Sequence, residues 1–384
     1  MILMLSAAHP PDDMRVVRKE GASLAAAGWP VTHLCPGPGG LLPPVAGVAI
    51  ETVSGAVRLG RLPALYRRAV ALRPAAIHAS EPDSWAVALL AGWRCGARVV
   101  LDVHEHYPSR LDARLARPLR GLARGALRLA LRLMGRAADA VVLAKEGLAE
   151  DFSPRRPRIA VRNHALVPPG LPRREHREGP LTLLHLGAIG VKRGWPQLLA
   201  ALTLAPPQTR LLIIGRFTDG SEPAFRAAAE RAGLTARLEI AGWMPAEAAL
   251  ARAAAEADVN LVLFQPGEEN HRLALPHKLF DGMAIGLSAI APAFATGVAR
   301  IVQTAGCGLL VEVTEPASIA AAIATLADRA TRARLGEAGW RAARAEWGWE
   351  AEAARLVGLY RDLLRPGERA PSPTRHFSAA AERL

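Results

Sequence analysis

Cysteine is scarce in this chain, and the three that occur, Cys35, Cys95 and Cys307, are far apart in the sequence. None of them has the spacing of a zinc ligand set or of a disulfide framework, which excludes both kinds of small scaffold. Long hydrophobic runs are missing as well, because no stretch of about 18 uncharged apolar residues occurs. The segment Met1–Ala8 is too short and too poorly flanked for a signal peptide. The sequence therefore predicts a cytoplasmic protein without a membrane span or a metal centre.

Lysine is almost absent: of the 48 basic residues 4 are lysines, at positions 19, 145, 192 and 278, which leaves 44 arginines. The formal net charge of +13 favours a polyanionic partner, which is nucleic acid, a membrane surface or a phosphorylated substrate. Aromatic residues make up only 5% of the chain, and no helix-turn-helix or zinc-finger spacing is present. These absences argue against nucleic acid and leave the other two partners.

Strand and helix patterns alternate along most of the chain. Buried strands are predicted at Met1–Ser6, Val31–Cys35, Ile77–Ala79, Arg98–Leu101, Ala140–Leu143, Leu181–Leu186, Leu211–Ile214, Leu238–Ala241, Val259–Phe264, Ser288–Ala291 and Leu309–Val313, and the last helices at Ala317–Arg329 and Ala351–Leu364. The pattern predicts an α/β fold of two Rossmann-like, doubly wound domains that face a cleft. The predicted parts are an N-terminal domain (1–168), a linker (169–180), a C-terminal domain (181–345), a last helical segment (346–364) and a flexible tail (365–384).

Polar residues follow two of the predicted strands in the first domain. The segment His9–Arg15 comes after the first strand, and Asp102–Pro108 follows the strand Arg98–Leu101. Because ligands of Rossmann-like folds lie at the carboxyl ends of the strands, we expect His9, Asp12, Asp13 and Arg15 to face the crevice. By the same argument His104, Glu105 and His106 are candidates for contact with a reacting centre, although they can equally cap the helix after Pro108.

An arginine-rich segment follows, and its arginines recur at spacings of three and four: Arg110, Arg114, Arg117, Arg120, Arg124, Arg128, Arg132 and Arg136. On a helix they share an arc of about 160°, with leucines on the opposite side, and Pro118 restarts or kinks the helix. Such a helix is typical of an anionic membrane surface, and we predict contact through Arg114, Arg117, Arg124, Arg128 and Arg132. A charged outer face over a leucine-packed core is the alternative.

Two loops in the second half are suited to anions. The strand Leu181–Leu186 is followed by a glycine-rich loop with Lys192 and Arg193, and then by a helix. A later loop ends at a helix that opens at Pro276 and carries Lys278 and Asp281 in succession. Helix N-termini attract phosphate, and a carboxylate one turn further can accept hydrogen bonds from hydroxyls. This order fits the diphosphate and ribose of a nucleotide sugar, whereas a solvated loop with a surface lysine is the alternative.

With these elements in place, the chain resembles the family 4 glycosyltransferases of the GT-B fold, to about Leu364. The resemblance lies in His9–Arg15, Asp102–Glu105, Ala138–Val142, Arg162–Asn163, Gly187–Gly194, Gly242–Met244, Pro276–Gly286 and Trp347–Leu364. It implies retaining, metal-independent transfer of a sugar from a nucleotide diphosphate donor, such as a UDP- or GDP-sugar, to an acceptor hydroxyl. No cofactor is implied. A glycan or lipid-linked acceptor, in the synthesis of cell-surface polysaccharide or glycolipid at the inner membrane face, fits a cationic, cytoplasmic enzyme.

The resemblance also implies that the last helix (346–364) crosses back onto the first domain, and it implies residue roles. His104 is expected at the reacting sugar, with Glu105 orienting it or the acceptor. Donor-binding residues by position are Gly187, Lys192, Arg193, Gly215, Trp243, Met244, His277, Lys278, Leu279 and Asp281.

The donor helix departs from the family in one respect. The family usually carries two glutamates eight positions apart, whereas this chain has Leu273 and Asp281 there. A Pro-Asn-Lys-Leu-Phe-Glu version of the helix occurs in some subgroups, and this chain is most similar to those. Glu269, Asn270 and His271 are the candidates to replace the first glutamate at the donor sugar. A catalytically idle subunit or binding protein with the same fold is the competing hypothesis.

Overall fold

The computed structural model describes residues 1–111, 115–167 and 169–365, which form two compact units. The first unit contains residues 1–162 together with the segment from Glu352 onwards, and the second contains residues 163–351. The sequence-based boundary at residue 168 therefore differs from the contact-based one by a few residues. Apart from Arg365, the predicted tail lies outside the described residues.

One sheet organises the first unit. Its strands are β1 (Ile2–Leu5), β2 (Val31–Pro36), β3 (Gly40–Val45), β4 (Val48–Val53), β5 (Ala76–Ala79), β6 (Arg98–Val103), β7 (Ala140–Leu143) and β8 (Arg158–Ala160). They lie in the order β3-β4-β2-β1-β5-β6-β7-β8, and all neighbours are parallel except the antiparallel pair β3–β4. The predicted strands are confirmed. Strands β3, β4 and β8 were not predicted. In β3 two prolines weaken the strand pattern, and such a strand fits only at an edge, where β3 lies.

Helices cover the sheet of the first unit. They are α1 (Ala22–Ala26), which continues a wider helical segment (Met14–Gly21), α2 (Leu62–Leu72), α3 (Pro82–Cys95) and α4 (Arg117–Ala137), with short turns of helix at Leu59–Arg61, Pro108–Leu111 and Glu146–Asp151. Trp85 of α3 lies in the core, where its ring meets those of Tyr107 and Phe152 edge-on at centroid distances of 5.3 Å and 5.8 Å. The strands β1, β5 and β7 are fully buried because helices cover both sheet faces.

Helix α4 corrects one of the two interpretations of the arginine-rich segment. It begins at Arg117, with Pro118 in its first turn as expected. Only a narrow face, which includes Leu131, packs onto the core. Four leucines of α4 are instead between 56% and 79% exposed: Leu119, Leu122, Leu129 and Leu133. At 100° per residue they share an arc of about 80°. The alternative of a leucine-packed core is thus wrong for these four residues, which we call the leucine stripe.

The second unit contains a fully parallel sheet. Its strands are β9 (Thr182–Ile189), β10 (Arg210–Phe217), β11 (Leu238–Gly242), β12 (Val259–Leu261), β13 (Ser288–Pro292) and β14 (Gly308–Val311), in the order β11-β10-β9-β12-β13-β14. Its helices are α5 (Trp195–Leu204), α6 (Glu222–Arg231), α7 (Ala246–Glu256), α8 (Glu269–Arg272), α9 (His277–Ala284), α10 (Thr296–Ala305), α11 (Pro316–Leu326) and α12 (Arg329–Ala345), with short turns of helix at Val191–Arg193 and Thr235–Arg237. The predicted strands and the donor helix, α9, are confirmed.

Sequence analysis missed helix α12, which is rich in arginine and contains two glycines that weaken a helix pattern. One of these glycines explains how α12 packs. A side chain at Gly336 would bring its Cβ to 2.2 Å from the backbone oxygen of Gly286, just after α9. Only glycine permits this approach, so α12 supports the helix that carries Lys278.

The C-terminal helix α13 (Trp349–Leu363) belongs to the first unit from Glu352 onwards. Buried Glu352 accepts a hydrogen bond from the backbone N–H of Arg162 at 2.9 Å. The hydroxyl of Tyr360 lies 2.9 Å from Nδ1 of His78 inside the unit. The prediction that the last helix returns to the first domain is therefore confirmed. Among the described residues, no helix combines the length and the apolar character that crossing a membrane requires.

Candidate active site

A polar cluster lies at the carboxyl ends of β1, β5 and β6 in the first unit. Nδ1 of His9 lies 2.9 Å from Oδ2 of Asp13, and its ring lies edge-on to that of His104 at a centroid distance of 5.0 Å. Glu81 accepts hydrogen bonds from the hydroxyl of Ser6 at 2.5 Å and from the two backbone amides that follow it. These hydrogen bonds connect the loop after β1 to Glu81, the residue directly before α3. His9 and Asp13, which were both predicted at the carboxyl end of the first strand, lie in this cluster.

Asp13 has two roles in this cluster. Its carboxylate accepts hydrogen bonds from the backbone amides of Arg15 and Val16, and so caps the helical segment that follows. Burial opposes its charge, but the hydrogen bond and charge of His9 hold the pKa of Asp13 well below its usual range. Burial likewise opposes a charge on His9, whose pKa is nevertheless raised by Asp13. The two residues therefore form an ion pair.

Asp102 connects the surface of the cluster to the interior. Its Oδ2 contacts Nε2 of His104. The same Oδ2 accepts a hydrogen bond from Nε of Arg15 at 3.2 Å, and Oδ1 accepts one from Nη2 of Arg15 at 2.8 Å. Arg15 is buried in these contacts, so the prediction that it faces an open crevice is wrong. The guanidinium neutralises buried carboxylates instead. Glu105 forms an exposed ion pair with Arg110 at 2.7 Å, and the carboxylate that orients His104 is Asp102 rather than Glu105.

A second layer of the same network is fully buried. One atom each of Glu20, His78 and Asp102 lies within 4.8 Å of the others, so their spacing fits a metal ion. The terminal guanidinium nitrogen Nη2 of Arg15, however, lies 2.8 Å from a carboxylate oxygen of Glu20 and 2.8 Å from one of Asp102. A guanidinium stays charged, and it already neutralises these carboxylates. Burial works against a charge on His78, yet the two carboxylates raise its pKa to about 9. We therefore interpret the cluster as a balanced ionic network of Arg15, His78 and two carboxylates.

Because of this network, we predict that the free energy of unfolding decreases at alkaline pH. A histidine with a pKa of 6.5 in the unfolded chain and about 9 in the fold contributes stability below pH 6.5, and the contribution disappears as the pH rises through about 9. Its size is about 3 kcal/mol. We expect urea unfolding of the wild type to shift to lower urea between pH 7 and pH 9.5. His78→Gln, which cannot titrate, should shift much less, and equal shifts in both proteins would contradict the assignment.

In the second unit, two glycines meet at the carboxyl ends of β9 and β10. Gly187 pairs with Gly215 across the two strands. A Cβ on Gly215 would lie only 1.8 Å from the backbone oxygen of Gly187, so this position requires glycine. The loop Gly190–Gly194, which carries Lys192 and Arg193, follows directly after the end of β9. Both glycines and the predicted cationic loop therefore lie at the same edge of the sheet.

Lys278, in the first turn of α9, is the centre of this second site. Its Nζ lies 3.1 Å from Nε2 of His185, a buried residue of β9. Burial, and then the charge of Arg193, lower the pKa of Lys278 to about 7, while Asp281 acts in the opposite direction. Burial, Lys278 and Arg193 lower the pKa of His185 well below its usual value. The structure thus brings Arg193, Lys278 and Asp281 together, as predicted, and adds His185.

Asn260 of β12 holds the start of α9 in place. It is fully buried, and its side-chain Nδ2 donates a hydrogen bond of 2.7 Å to the backbone oxygen of Lys278. A polar residue inside an apolar strand was the signal in the sequence, because a buried amide needs a partner. Sequence analysis did not use it, since the partner lies 18 positions away.

The loop before α9 has its own contacts. Lys192 forms an ion pair with Glu268, which joins the two anion-binding loops. Glu269 pairs with Arg272 within helix α8 at 2.6 Å. His271 is buried, with Nδ1 2.6 Å from the backbone oxygen of Gln265. Two of the three candidates for the donor sugar, Glu269 and His271, are therefore engaged in holding the loop, and Asn270 lies between them in α8.

The remaining donor-binding candidates are placed as follows. The side chain of Leu279 is fully buried in the core, so its predicted contact with a donor is limited to the backbone. Trp243 is an exposed aromatic residue in the loop between β11 and α7, and Met244 beside it packs partly onto the core. His277 is the first residue of α9. Of the predicted membrane residues, Arg114 and the side chain of Arg117 lie outside the described part of the chain.

The fold is similar to that of solved glycosyltransferase structures. Sucrose-phosphate synthase from Thermosynechococcus elongatus superposes with a TM-score of 0.72 at 21% identity, over 94% of this chain and 98% of that one. HepE from Anabaena in complex with UDP-glucose gives a TM-score of 0.69 at 16% identity, over 94% and 98%. WaaG, a glycosyltransferase involved in lipopolysaccharide biosynthesis, gives 0.63 at 15% identity, over 93% and 100%. These likenesses establish the GT-B fold.

Family models decide the class of protein. Residues 15–170 match the model of the glycosyl transferase 4-like domain, and residues 180–329 match the model of the glycosyl transferases group 1. The chain is a glycosyltransferase of the GT-B fold. A search of curated proteins found no match to it. The glycosyltransferase therefore carries its two polar sites in different domains, with the cluster around Asp102 in the 4-like domain and Lys278 in the group 1 domain.

Proposed function

We propose that this glycosyltransferase moves a sugar from a nucleoside diphosphate donor to an acceptor hydroxyl, and that the second unit binds the donor. The observation that carries the proposal is the convergence of Lys278 and Arg193 at the amino end of α9. Amide N–H groups at a helix start and two cations attract a diphosphate. Asp281, one turn into the same helix, is placed to accept hydrogen bonds from the ribose hydroxyls. The UDP-glucose bound by HepE, which shares the fold, supports a UDP-sugar as the first donor to test, with GDP-sugars as the second.

The chemistry required of these residues is electrostatic. The bond between the anomeric carbon and a diphosphate oxygen breaks, and negative charge grows on the leaving diphosphate. The acceptor oxygen bonds to the anomeric carbon, and its hydroxyl proton passes to the leaving diphosphate. Fixed cations and a helix N-terminus stabilise that charge without rearrangement, which is an efficient form of catalysis. We assign Lys278 and Arg193 this role.

We assign the acceptor side to the cluster of the first unit. His104 is held by Asp102, so its imidazole has a defined orientation, and it is only partly exposed at the strand ends. In this proposal His104 contacts the reacting sugar or the acceptor hydroxyl, and Glu105 contributes only through its charge near the acceptor. The acceptor class is a glycan or lipid-linked glycan.

The test is an assay with a panel of UDP- and GDP-sugars, with and without EDTA, followed by NMR of the product. We expect one donor to be consumed, unchanged activity in EDTA, and an anomeric configuration that matches the donor. An inverted product would overturn the proposed retention, and loss of activity in EDTA would overturn metal independence. If no donor is consumed and no nucleotide binds, the chain is an idle relative of the enzymes, an alternative that Leu273 in place of a family glutamate favours.

We also propose that the protein works on an anionic membrane, at its inner face. The leucine stripe on α4 supports this partner, because these four side chains lie on the side of the helix away from the core. A pocket of about 390 Å³ lies beside Leu133, and three arginines line it: Arg132, Arg136 and Arg158. Leucines that enter the acyl boundary next to arginines at the headgroups are the pattern of interfacial helices. Charge of this sign and density selects an anionic bilayer over a neutral one.

A further inference from the structure

We infer that Lys278 takes up a proton when the donor diphosphate binds, and that His185 is the positioning residue which keeps the lysine amine uncharged until then. The inference rests on the proposed function, since it assigns a diphosphate to the site around Lys278. It adds a residue of β9 to the donor site and makes donor affinity depend on pH.

The geometry around Nε2 of His185 carries the argument. This nitrogen lies 3.0 Å from the backbone oxygen of Ala188 and 3.1 Å from Nζ of Lys278. A carbonyl oxygen can only accept a hydrogen bond, so Nε2 must carry the hydrogen. An ammonium group has three donors and no lone pair, and it gains nothing from a nitrogen that is itself a donor. An uncharged amine has a lone pair that can share this hydrogen with the oxygen of Ala188 in a three-centre hydrogen bond. The contact is therefore favourable only when Lys278 is neutral.

Two charged groups act on the amine in opposite directions. Arg193, from the loop after β9, brings a like charge, whereas Asp281 on α9 favours the ammonium form. Nδ1 of His185 is buried without a hydrogen-bond partner among the described residues, so the imidazole cannot readily become the charged member of the pair. Around Arg193 lie the charged side chains of Lys192 and Glu268 and the imidazole of His271, whose pKa is lowered mainly by burial. Burial, and after it Arg193, outweigh Asp281 and lower the pKa of Lys278 to about 7.

A diphosphate reverses this balance. Two negative charges beside Nζ favour the ammonium form and raise the pKa of Lys278 well above its value in the empty site. With the empty-site pKa near 7, the amine is mostly neutral at pH 8 and becomes charged on binding. The expected uptake at pH 8 is about 0.9 proton for each ligand bound. Above pH 8 the dissociation constant should rise about tenfold for each pH unit.

Isothermal titration calorimetry measures this uptake directly. UDP and GDP are titrated at pH 8 in two buffers with different enthalpies of ionisation, and the difference in binding enthalpy gives the number of protons. The second ionisation of the terminal phosphate has a pKa of about 6 and is complete at pH 8, so the ligand itself does not titrate. Uptake of close to one proton supports the inference. Binding without any buffer dependence overturns the inference and leaves the proposed function standing, whereas no binding of either nucleotide overturns both.

Three variants identify the titrating group. Lys278→Arg keeps a cation that cannot lose its proton, so binding should persist without uptake and without the pH dependence. His185→Gln places an amide whose oxygen can accept from an ammonium group, so the lysine should be charged before binding and uptake should fall by more than half. Arg231→Lys exchanges one exposed cation of α6, in the same unit but outside the site, and is the control that should keep the wild-type uptake. Full uptake in Lys278→Arg or His185→Gln, or its loss in Arg231→Lys, overturns the inference.

Discussion

Replacing Lys278 with alanine should lower the rate of sugar transfer by about 10²–10³-fold, the usual effect of removing one fixed group that stabilises charge in a transition state. Lys278 lies in the first turn of α9, and its backbone oxygen is held by Asn260. A buried contact therefore fixes the backbone of Lys278 and places its side chain at the helix N-terminus. A flexible lysine on the surface would not be held in this way. The loss should appear in kcat more than in KM, because charge on the leaving diphosphate grows only as the bond breaks.

We expect Lys278→Ala to fold like the wild type. Burial already disfavours the charge on this amine, so removing the amine should cost little stability. Circular dichroism and thermal unfolding check this point. Arg231→Ala, which removes one exposed cation from α6 in the same unit, is the matched control and should keep wild-type turnover. Near-normal turnover of Lys278→Ala with the best donor would show that another group stabilises the diphosphate.

The second large effect is expected on membranes. The double variant Leu122→Glu and Leu129→Glu should bind vesicles that contain phosphatidylglycerol at least about 100-fold more weakly than the wild type. The reason is that two leucine side chains that become buried in the bilayer contribute roughly 3–6 kcal/mol to binding. Both side chains are exposed, at 79% and 59%, so the substitutions should not disturb the core. Flotation or sedimentation with vesicles of defined composition measures the binding.

The control for this prediction has the same number of lost leucines and added charges. Leu41 and Leu204 are 79% and 62% exposed, and neither lies on α4. The variant Leu41→Glu and Leu204→Glu should bind the anionic vesicles like the wild type. Vesicles of phosphatidylcholine alone should retain little of either protein. If both double variants lose binding equally, the net charge of the protein rather than the leucine stripe determines adsorption, and the proposed surface is wrong.

Local patterns predicted the framework of both domains. Runs of apolar residues such as those of β1 and β7 are buried on both faces of a parallel sheet, so composition alone marks them as strands. Proline and glycine mark where α9 begins and ends, since their backbone preferences act over one or two residues. The candidates Arg193, Lys278 and Asp281 followed from their positions relative to strand ends and a helix start, and the structure brings them together.

Long-range contacts explain what could not be predicted in this way. Asp102 holds both Arg15 and His104. It can do so because it is a buried residue of β6, whereas Glu105 lies in the loop after β6 and pairs with Arg110 at the surface. The leucine stripe has the same periodicity as a leucine face packed on a core. Only the position of Leu131 against the sheet decides which side of α4 is buried.

The sequence by itself determined the class of fold, most of the buried strands, and the two loops where anions can bind, because hydrophobic periodicity and backbone preferences are properties of neighbouring residues. The tertiary structure alone decided the partners of those loops. His185 meets Lys278 across 93 positions of the chain, and His78 meets Tyr360 across 282. Burial and the charges brought together by such distant pairs set the protonation of Lys278 and His78, and no local pattern contains that information.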